Sequence, residues 1–304
     1  MTPTQVQIII TLGGMEASHI LAETIKVQML YCNQINPVEA VVYSISQLDQ
    51  AQYIWYSEKN TSNGNDVHRY INRYQQIYGK QSLNLDVLSS AVTIDFLDPI
   101  LWYSLWSMLS NTTFAPPMIG SENFKFLPAA RLIMAPYGLE REGILHAQIF
   151  GVHITAKGRI GETTLAADKI QYAAIKYVGN KPGHEENLPD LIDRLLTKKT
   201  VTTYGFSIES PNIYSDDGIT IGFTAALWYQ PDIFKGRKNL EKTSVPDPLL
   251  AEMKLGGMGI ISAQYEINDF LSTNLNVGYK TRGYMQGYGV DEYFHIGAGA
   301  SLAL

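Results

Sequence analysis

Glu16, His19 and Glu23 have the residue types and the spacing that a metal site on a helix requires. Spacings of three and four residues place side chains on one face of a helix. The Glu-x-x-His pair is the one used by di-iron carboxylate bundles, which need a copy on two helices. The other predicted helices carry no second copy. A surface pair between His19 and Glu23 is therefore the simpler interpretation, and the three residues are candidate metal ligands only.

Three histidines in the second half of the chain, His146, His153 and His295, lie in segments that alternate like β-strands. A hydrolase that uses an imidazole as general base needs a serine hydroxyl within hydrogen-bond reach of it. Ser207 and Ser301 lie in similar segments. These five residues are the candidates for catalysis, as a His–Ser pair of a lipid hydrolase.

Other motifs carry less chemistry. Asn65 and Asp66 stand where a loop meets a helix, and a helix N-cap accounts for them. Gly256, Gly257 and Gly259 precede a strand rather than a helix, so strand bending or close packing explains them better than a nucleotide loop. The sequence contains no Gly-x-Ser-x-Gly, phosphate loop or dinucleotide fingerprint. We expect no cofactor.

Composition limits the classes of function. The 304 residues include 23 Lys and Arg against 29 Asp and Glu, a formal net charge of -6, which argues against a nucleic-acid partner. The single cysteine, Cys32, excludes an intramolecular disulfide and a metal site built on several cysteines. Charged residues make up only 17% and there are 19 tyrosines, a composition typical of a membrane barrel with aromatic girdles.

Residues 1–117 are predicted to be a helical domain. A helix over residues 16–33 follows a break at Gly13-Gly14, and a second begins with Asn36 as its cap and Pro37 in its first turn. The apolar segment at residues 83–109 is interrupted by aspartates and by Pro99. We therefore predict two packed helices there, with Trp102 and Trp106 on one face, rather than a membrane-spanning helix.

After Pro117 the hydrophobic period changes from 3.6 to 2, which predicts antiparallel strands over residues 118–304. Clear alternation occurs at residues 204–208, 219–229, 261–268, 271–280 and 294–304, with a tight turn at Asp269. Further candidate strands lie at residues 126–135, 143–152, 152–160 and 170–178. On the clear strands the face opposite the apolar one is small and uncharged. A solvent-facing sheet normally carries charge, whereas a narrow barrel interior needs small residues.

The stretch from Gly256 to Leu304 resembles the closing strands of bacterial outer-membrane β-barrels. In that class the final strand usually ends in an aromatic residue, where this chain has Leu304. The resemblance implies an α+β fold in which the helical domain precedes an antiparallel barrel of about 8–10 strands. Such a barrel is too narrow for the helical domain. We therefore expect Ile20, Ile54, Trp102 and Trp106 to pack within a bundle outside the lumen.

The functional expectation follows from this architecture. The protein is predicted to be a bacterial outer-membrane protein with a structural, scaffolding or partner-binding role, in contact with membrane lipid and with a protein partner through its helices. The N-terminus lacks the features of a signal peptide, so this would be a mature chain given a starting methionine. The alternatives are the lipid hydrolase and a soluble two-domain binding protein. The latter predicts that Ile221, Leu275 and Ile296 are covered by other parts of the chain.

Overall fold

The computed structural model describes residues 3–59, 65–80, 82–179, 188–233, 248–268 and 271–302, and every structural statement below refers to these residues. The N-terminal part is helical. Its elements are α1 (Pro3–Tyr31), α2 (Pro37–Lys59), α3 (Asp66–Tyr78), α4 (Leu85–Ala91), a 3₁₀ segment (Val92–Leu97) and α5 (Pro99–Ser110).

Local sequence explains where the helices begin. The Asn36 side chain accepts from the backbone N–H of Glu39 at 2.9 Å, and Asn65 accepts from that of Val67 at 2.8 Å, so both predicted caps are confirmed. The predicted break at Gly13-Gly14 is wrong, because α1 continues through both glycines. Two glycines inside a helix cost about 1 kcal/mol each. Burial of Ile8, more than one turn before them, and of Leu12, directly before them, offsets that cost.

The second part is a nine-stranded antiparallel sheet in which each strand pairs with the next along the chain. Its strands are β1 (Ile119–Gly120), β2 (Phe124–Ala135), β3 (Gly138–Ile149), β4 (Val152–Ala166), β5 (Lys198–Asp216), β6 (Ile219–Pro231), β7 (Met253–Asn268), β8 (Leu271–Lys280) and β9 (Tyr293–Leu302). Helices α6 (Lys169–Gly179) and α7 (Leu188–Leu195) and a 3₁₀ turn (Pro248–Leu250) lie in its connections. The α+β class and the antiparallel strands are confirmed. Asp269 and Leu304 lie outside the described residues.

One predicted strand is wrong: residues 170–178 belong to α6. Asp168 accepts from the backbone N–H groups of Ile170 and Gln171 at 2.8 and 3.2 Å, which is the geometry of a helix cap. Tyr172 and Ile175, three residues apart, are both buried in the core beneath this helix. Helical spacing therefore outweighs the weak β pattern.

The sheet is not closed into a barrel, so the predicted closure is wrong. The edge of β2 is occupied by other groups. β1 pairs with Phe126 and its neighbour Lys125, and the 3₁₀ segment (Val92–Leu97) packs along the strand. Asp95 in that segment accepts from the backbone N–H of Leu132 at 2.7 Å. Nothing in the described part of the chain joins β9 to β1 or β2.

Helix α1 lies against the concave face of the sheet. Glu23 of α1 approaches His146 of β3 at 3.5 Å and Lys157 of β4 at 3.7 Å. Glu16, two turns earlier, accepts from the backbone N–H of Gly287 between β8 and β9. The expectation that all helices lie outside the sheet is therefore wrong for α1, because an open sheet leaves room for one helix.

The remaining helices pack beside β2. Ile54 is buried, as expected for a bundle, whereas Trp102 and Trp106 are more than half exposed on α5. The apolar segment forms α4, the 3₁₀ segment and α5, with the predicted break before Pro99. α4 and α5 pack on α2, so the prediction that they pack chiefly on each other is wrong. Within the described residues, no helix has the length and apolar character needed to cross a membrane. Helix gives way to strand between Ser110 and Ile119, and the domain division at residues 117 and 118 stays a prediction.

Candidate functional site

The concave side of the sheet holds a dense set of buried charges. Alternation on β2, β3 and β4 turns every second residue inward, and several of these are charged: Arg131, Glu140, Glu142, Lys157 and Arg159. Burying charge is costly unless each group is paired. The pairing among these residues is therefore what makes the arrangement stable.

Cross-strand register produces the pairs. Arg131 and Glu142 are direct partners on β2 and β3, and Nε and Nη2 of the guanidinium both lie 2.6 Å from one carboxylate oxygen. Lys157 lies 2.6 Å from Glu209 of β5. Glu140 accepts from the hydroxyl of Tyr137 at 3.1 Å and from that of Thr203 at 2.8 Å. Each charge is thus matched by an opposite charge or by hydroxyl donors.

A second cluster ties α1 to the other helices. The Lys26 ammonium lies 2.7 Å from Asp98 and 3.0 Å from Glu23. Asp98 also accepts from the hydroxyl of Tyr43 at 2.8 Å and caps α5 through the backbone N–H of Ile100. Burial lowers the Lys26 pKa, but the two carboxylates outweigh it and raise that pKa, so the ammonium stays charged.

His19 and Asp95 form the least satisfied contact of the site. Nε2 of His19 lies 3.8 Å from Oδ2 of Asp95, and neither atom has a hydrogen-bond partner among the described residues. Burial raises the pKa of Asp95 to about 7. Burial, helped by Arg131 and Lys26, lowers the pKa of His19 to about 3. Near neutral pH the histidine is therefore neutral and the aspartate is partly protonated.

These two pKa shifts act on stability in opposite directions. Between pH 4 and 7 the folded chain holds a proton on Asp95 that the unfolded chain has lost, so this group makes stability fall as pH rises. Between pH 3 and 6.5 the unfolded chain binds the proton at His19, so this group makes stability rise with pH.

We therefore expect His19→Gln and Asp95→Asn to have opposite pH profiles. Relative to the unchanged chain, His19→Gln should lose stability as pH rises from 4 to 6.5, and Asp95→Asn should gain it. The limiting slope is about 1.4 kcal/mol per pH unit for each. Urea unfolding followed by circular dichroism measures both. Parallel profiles of the two variants would contradict the assigned protonation states.

A cavity of about 530 Å³ separates α1 from the sheet. Residues of α1, of every strand from β2 to β9 and of the segment 285–288 line it, which shows that the sheet curves around it. This volume is typical of a small-molecule site. Its charged lining residues are three cations and three anions: Arg131, Lys157 and Arg159, and Glu23, Glu142 and Glu209.

The sequence-predicted catalytic residues are not joined into a His–Ser pair in the part of the chain described. His146 instead bonds Thr155, Nδ1 to Oγ1, at 3.0 Å, with Glu23 on its other side. This arrangement resembles the hydroxyl, base and carboxylate of a catalytic triad. However, His146 and Thr155 are fully buried and do not line the cavity. A substrate has no route to them. The arrangement is therefore structural.

The other candidates lie apart. The ring nitrogens of His153 have no hydrogen-bond partner among the described residues. His295 lines the cavity on β9, near Tyr288 and Tyr293. Ser207 is buried on β5, opposite Lys157 and Ala226. The backbone of Ser301 pairs with Ser272, but its side chain lies outside the described residues.

The candidate metal ligands each contact a different group. Glu16 bonds Gly287, His19 faces Asp95, and Glu23 faces His146 and Lys157 of the sheet. Within the described residues, no group of three His, Cys, Asp or Glu side chains is placed to hold a metal ion. The three side chains thus link α1 to its surroundings.

The buried charges of β2, β3 and β4 are what sequence reasoning missed. Their signal was charge at every second position, as in Glu140-x-Glu142 and Lys157-x-Arg159. Exposed strands with a solvated charged face show the same pattern. The pattern alone could not indicate that α1 covers this face.

Comparison of the chain with models of protein families, with curated proteins and with solved structures finds no match.

Proposed function

We propose that this chain is a non-enzymatic protein of the bacterial outer membrane. It would sit in the bilayer through the outward face of its later strands and use its helices to bind a partner. The observation that carries this proposal is the outward face of β6 to β9, which is uncharged and mostly apolar, while the charges that line the cavity lie on α1 and on the inward face of β2 to β5.

The outward face is uncharged and mostly apolar over β6 to β9, with Thr273 as a polar residue. The outward positions of β6, β7, β8 and β9 contain no Asp, Glu, Lys or Arg between residues 219–229, 255–265, 271–279 and 294–300. Many are large and exposed: Ile219, Leu227, Leu255, Ile261, Tyr265, Leu275, Val277, Tyr279, Phe294 and Ile296. Apolar patches of this extent on a soluble monomer are rare and mark membrane or protein contacts.

Tyrosines bound this face at both ends. Tyr204 and Tyr229 stack at one end of β5 and β6, with ring centroids 5.1 Å apart. Tyr265 lies opposite Ile219 at the other end. Tyr229 lies ten residue steps along β6 from Ile219. These steps span about 34 Å along a strand, or about 24 Å along the membrane normal at a tilt of 45°. This height matches the apolar band of outer-membrane proteins, about 25 Å.

The helical part carries further exposed apolar stripes. Val38, Val42 and Ile45 lie on one face of α2, and Trp102 and Trp106 on α5 beside it. Tryptophans are enriched at membrane interfaces and at protein contacts. The stripes support a contact of the helices with a partner or with the membrane surface.

The soluble alternative requires the sheet to be covered. Leu275 and Ile296 are exposed and Ile221 is half-buried, so the described residues leave the outward face open. A bilayer would cover this face without a second protein. These three residues favour the membrane proposal over a sheet buried by its own chain.

Flotation of the full chain tests the proposal. Protein refolded with phosphatidylcholine vesicles should rise with them through a sucrose gradient and stay with them after an alkaline carbonate wash. Protein that stays at the bottom of the gradient, and is monomeric without detergent, would contradict membrane residence. A chain that floats but is removed by carbonate would also contradict it, because it would be peripheral.

A further inference from the structure

The cavity reaches the open edge of the sheet. On one side it is bounded by α1, through Ile20 and Thr24, which are both exposed. On the other side it is bounded by His295 of β9, the edge strand. No described backbone group outside β8 bonds to β9. The cavity is therefore bounded by the first helix on one side and by the unpaired last strand on the other.

This edge differs from the edge of β2 in its side chains. β2 carries Pro128, and its backbone is capped by Asp95 and by the short strand β1. Proline, short strands and charge are the usual protections of a sheet edge. β9 has no proline and no charged residue, and its outward Phe294 and Ile296 are 79% and 75% exposed.

The lining of the cavity is polarised. All six charged residues come from α1 and from β2 to β5, whereas β6 to β9 supply Thr224, Ile260, Ser262, Asn276 and His295. The charged end is farthest along the sheet from the open edge. A molecule that enters past β9 meets uncharged side chains first and charge last.

The charged end suits a group that bears both signs. Three cations and three anions balance, so neither a net anion nor a net cation is favoured by the lining. Arg131 uses Nε and Nη2 on Glu142, and a guanidinium has five N–H donors in all. Donors therefore remain for a phosphate, while the glutamates can accept from an ammonium.

We propose that the cavity binds the zwitterionic head of a phospholipid that enters sideways past β9. The phosphate would lie against Arg131, Lys157 and Arg159, the ammonium against the glutamates, and the acyl chains would leave through the opening between α1 and β9. The lateral route rests on the proposed function, since it draws the lipid from a bilayer.

Two neighbouring residues of β7 provide the test. Ser262 lines the cavity and Ile261 faces outward. Ser262→Trp should fill the cavity, and Ile261→Trp should leave it open. Native mass spectrometry of the detergent-solubilised chain should show one retained phosphatidylethanolamine in the original chain and in Ile261→Trp. The Ser262→Trp variant should bind this lipid about tenfold more weakly. Equal retention in both variants would overturn the proposal.

Three ligands define the chemistry. Phosphatidylethanolamine should bind about tenfold more tightly than phosphatidylglycerol with the same acyl chains. Free phosphoethanolamine should bind more weakly than the lipid, because it lacks the chains. Preference for the anionic lipid, or equal binding of the free head group, would overturn the assignment. Lipid binding is measured in detergent and so does not depend on membrane insertion. If the protein fails to float but Ser262→Trp still selectively loses the lipid, membrane residence is rejected and the lipid site is retained.

Discussion

Ile261→Lys is expected to prevent stable membrane insertion of the full chain. Ile261 lies near the middle of the outward apolar band, in one cross-strand row with Phe223, Val277 and Ile296. A lysine at the midplane of a lipid-facing barrel surface costs about 2–4 kcal/mol. On a soluble protein the same change at a 64% exposed position would alter stability by only about 0.5 kcal/mol or less. A membrane protein is thus expected to lose much stability on this substitution, whereas a soluble protein is expected to lose little.

The matched control is Ile267→Lys on the same strand. Ile267 is 50% exposed and lies beyond Tyr265, where the proposed interface begins. Near the interface the cost falls to about 0–1 kcal/mol. Urea titration of the vesicle-bound protein, read by protease protection, measures both variants. Equal stability of the two variants would show that the cost of the lysine does not depend on its position across the proposed bilayer, and would contradict membrane insertion of this face.

Lys26→Met is expected to cause the largest loss of folding stability. Lys26 is 2% exposed and neutralises both Asp98 and Glu23, while Asp98 also caps α5. Without the ammonium both carboxylates stay buried. Asp98 then keeps only its hydrogen bonds from Tyr43 and Ile100, and among cations Glu23 keeps only the longer approach of Lys157 at 3.7 Å. Removing one partner of a buried ion pair costs about 3–5 kcal/mol. The free energy of unfolding, from urea denaturation in detergent, measures the loss.

Two companions separate charge from packing. Lys80→Met removes a lysine that pairs with Asp190 at 2.9 Å but is 57% exposed, and it should cost about 0–1 kcal/mol. Adding Asp98→Asn to Lys26→Met should restore part of the loss, because asparagine keeps the cap and removes one unpaired charge. A cost for Lys26→Met no larger than that for Lys80→Met would show that the buried network contributes little.

The local elements were determined by the sequence itself. Asn36 and Asn65 cap helices because an amide side chain next to a helix start reaches the free backbone N–H groups. Strict alternation from Phe294 onward predicted the last strand, because side chains of a strand alternate between two faces. Such features depend on residues a few positions apart, which a single sequence displays.

Tertiary structure decided what those elements enclose. At the edge of β2, Asp95 accepts from the backbone N–H of Leu132, a contact across 37 positions. Lys26 and Asp98 are 72 positions apart, and no sequence pattern around either residue identifies the other as its partner. Residues 170–178 are helical because the helix buries both Tyr172 and Ile175 in the core. Local periodicity sets which face of an element is apolar. What covers that face depends on distant segments of the chain. Here the tertiary structure places α1 and a charged cavity inside the curved sheet.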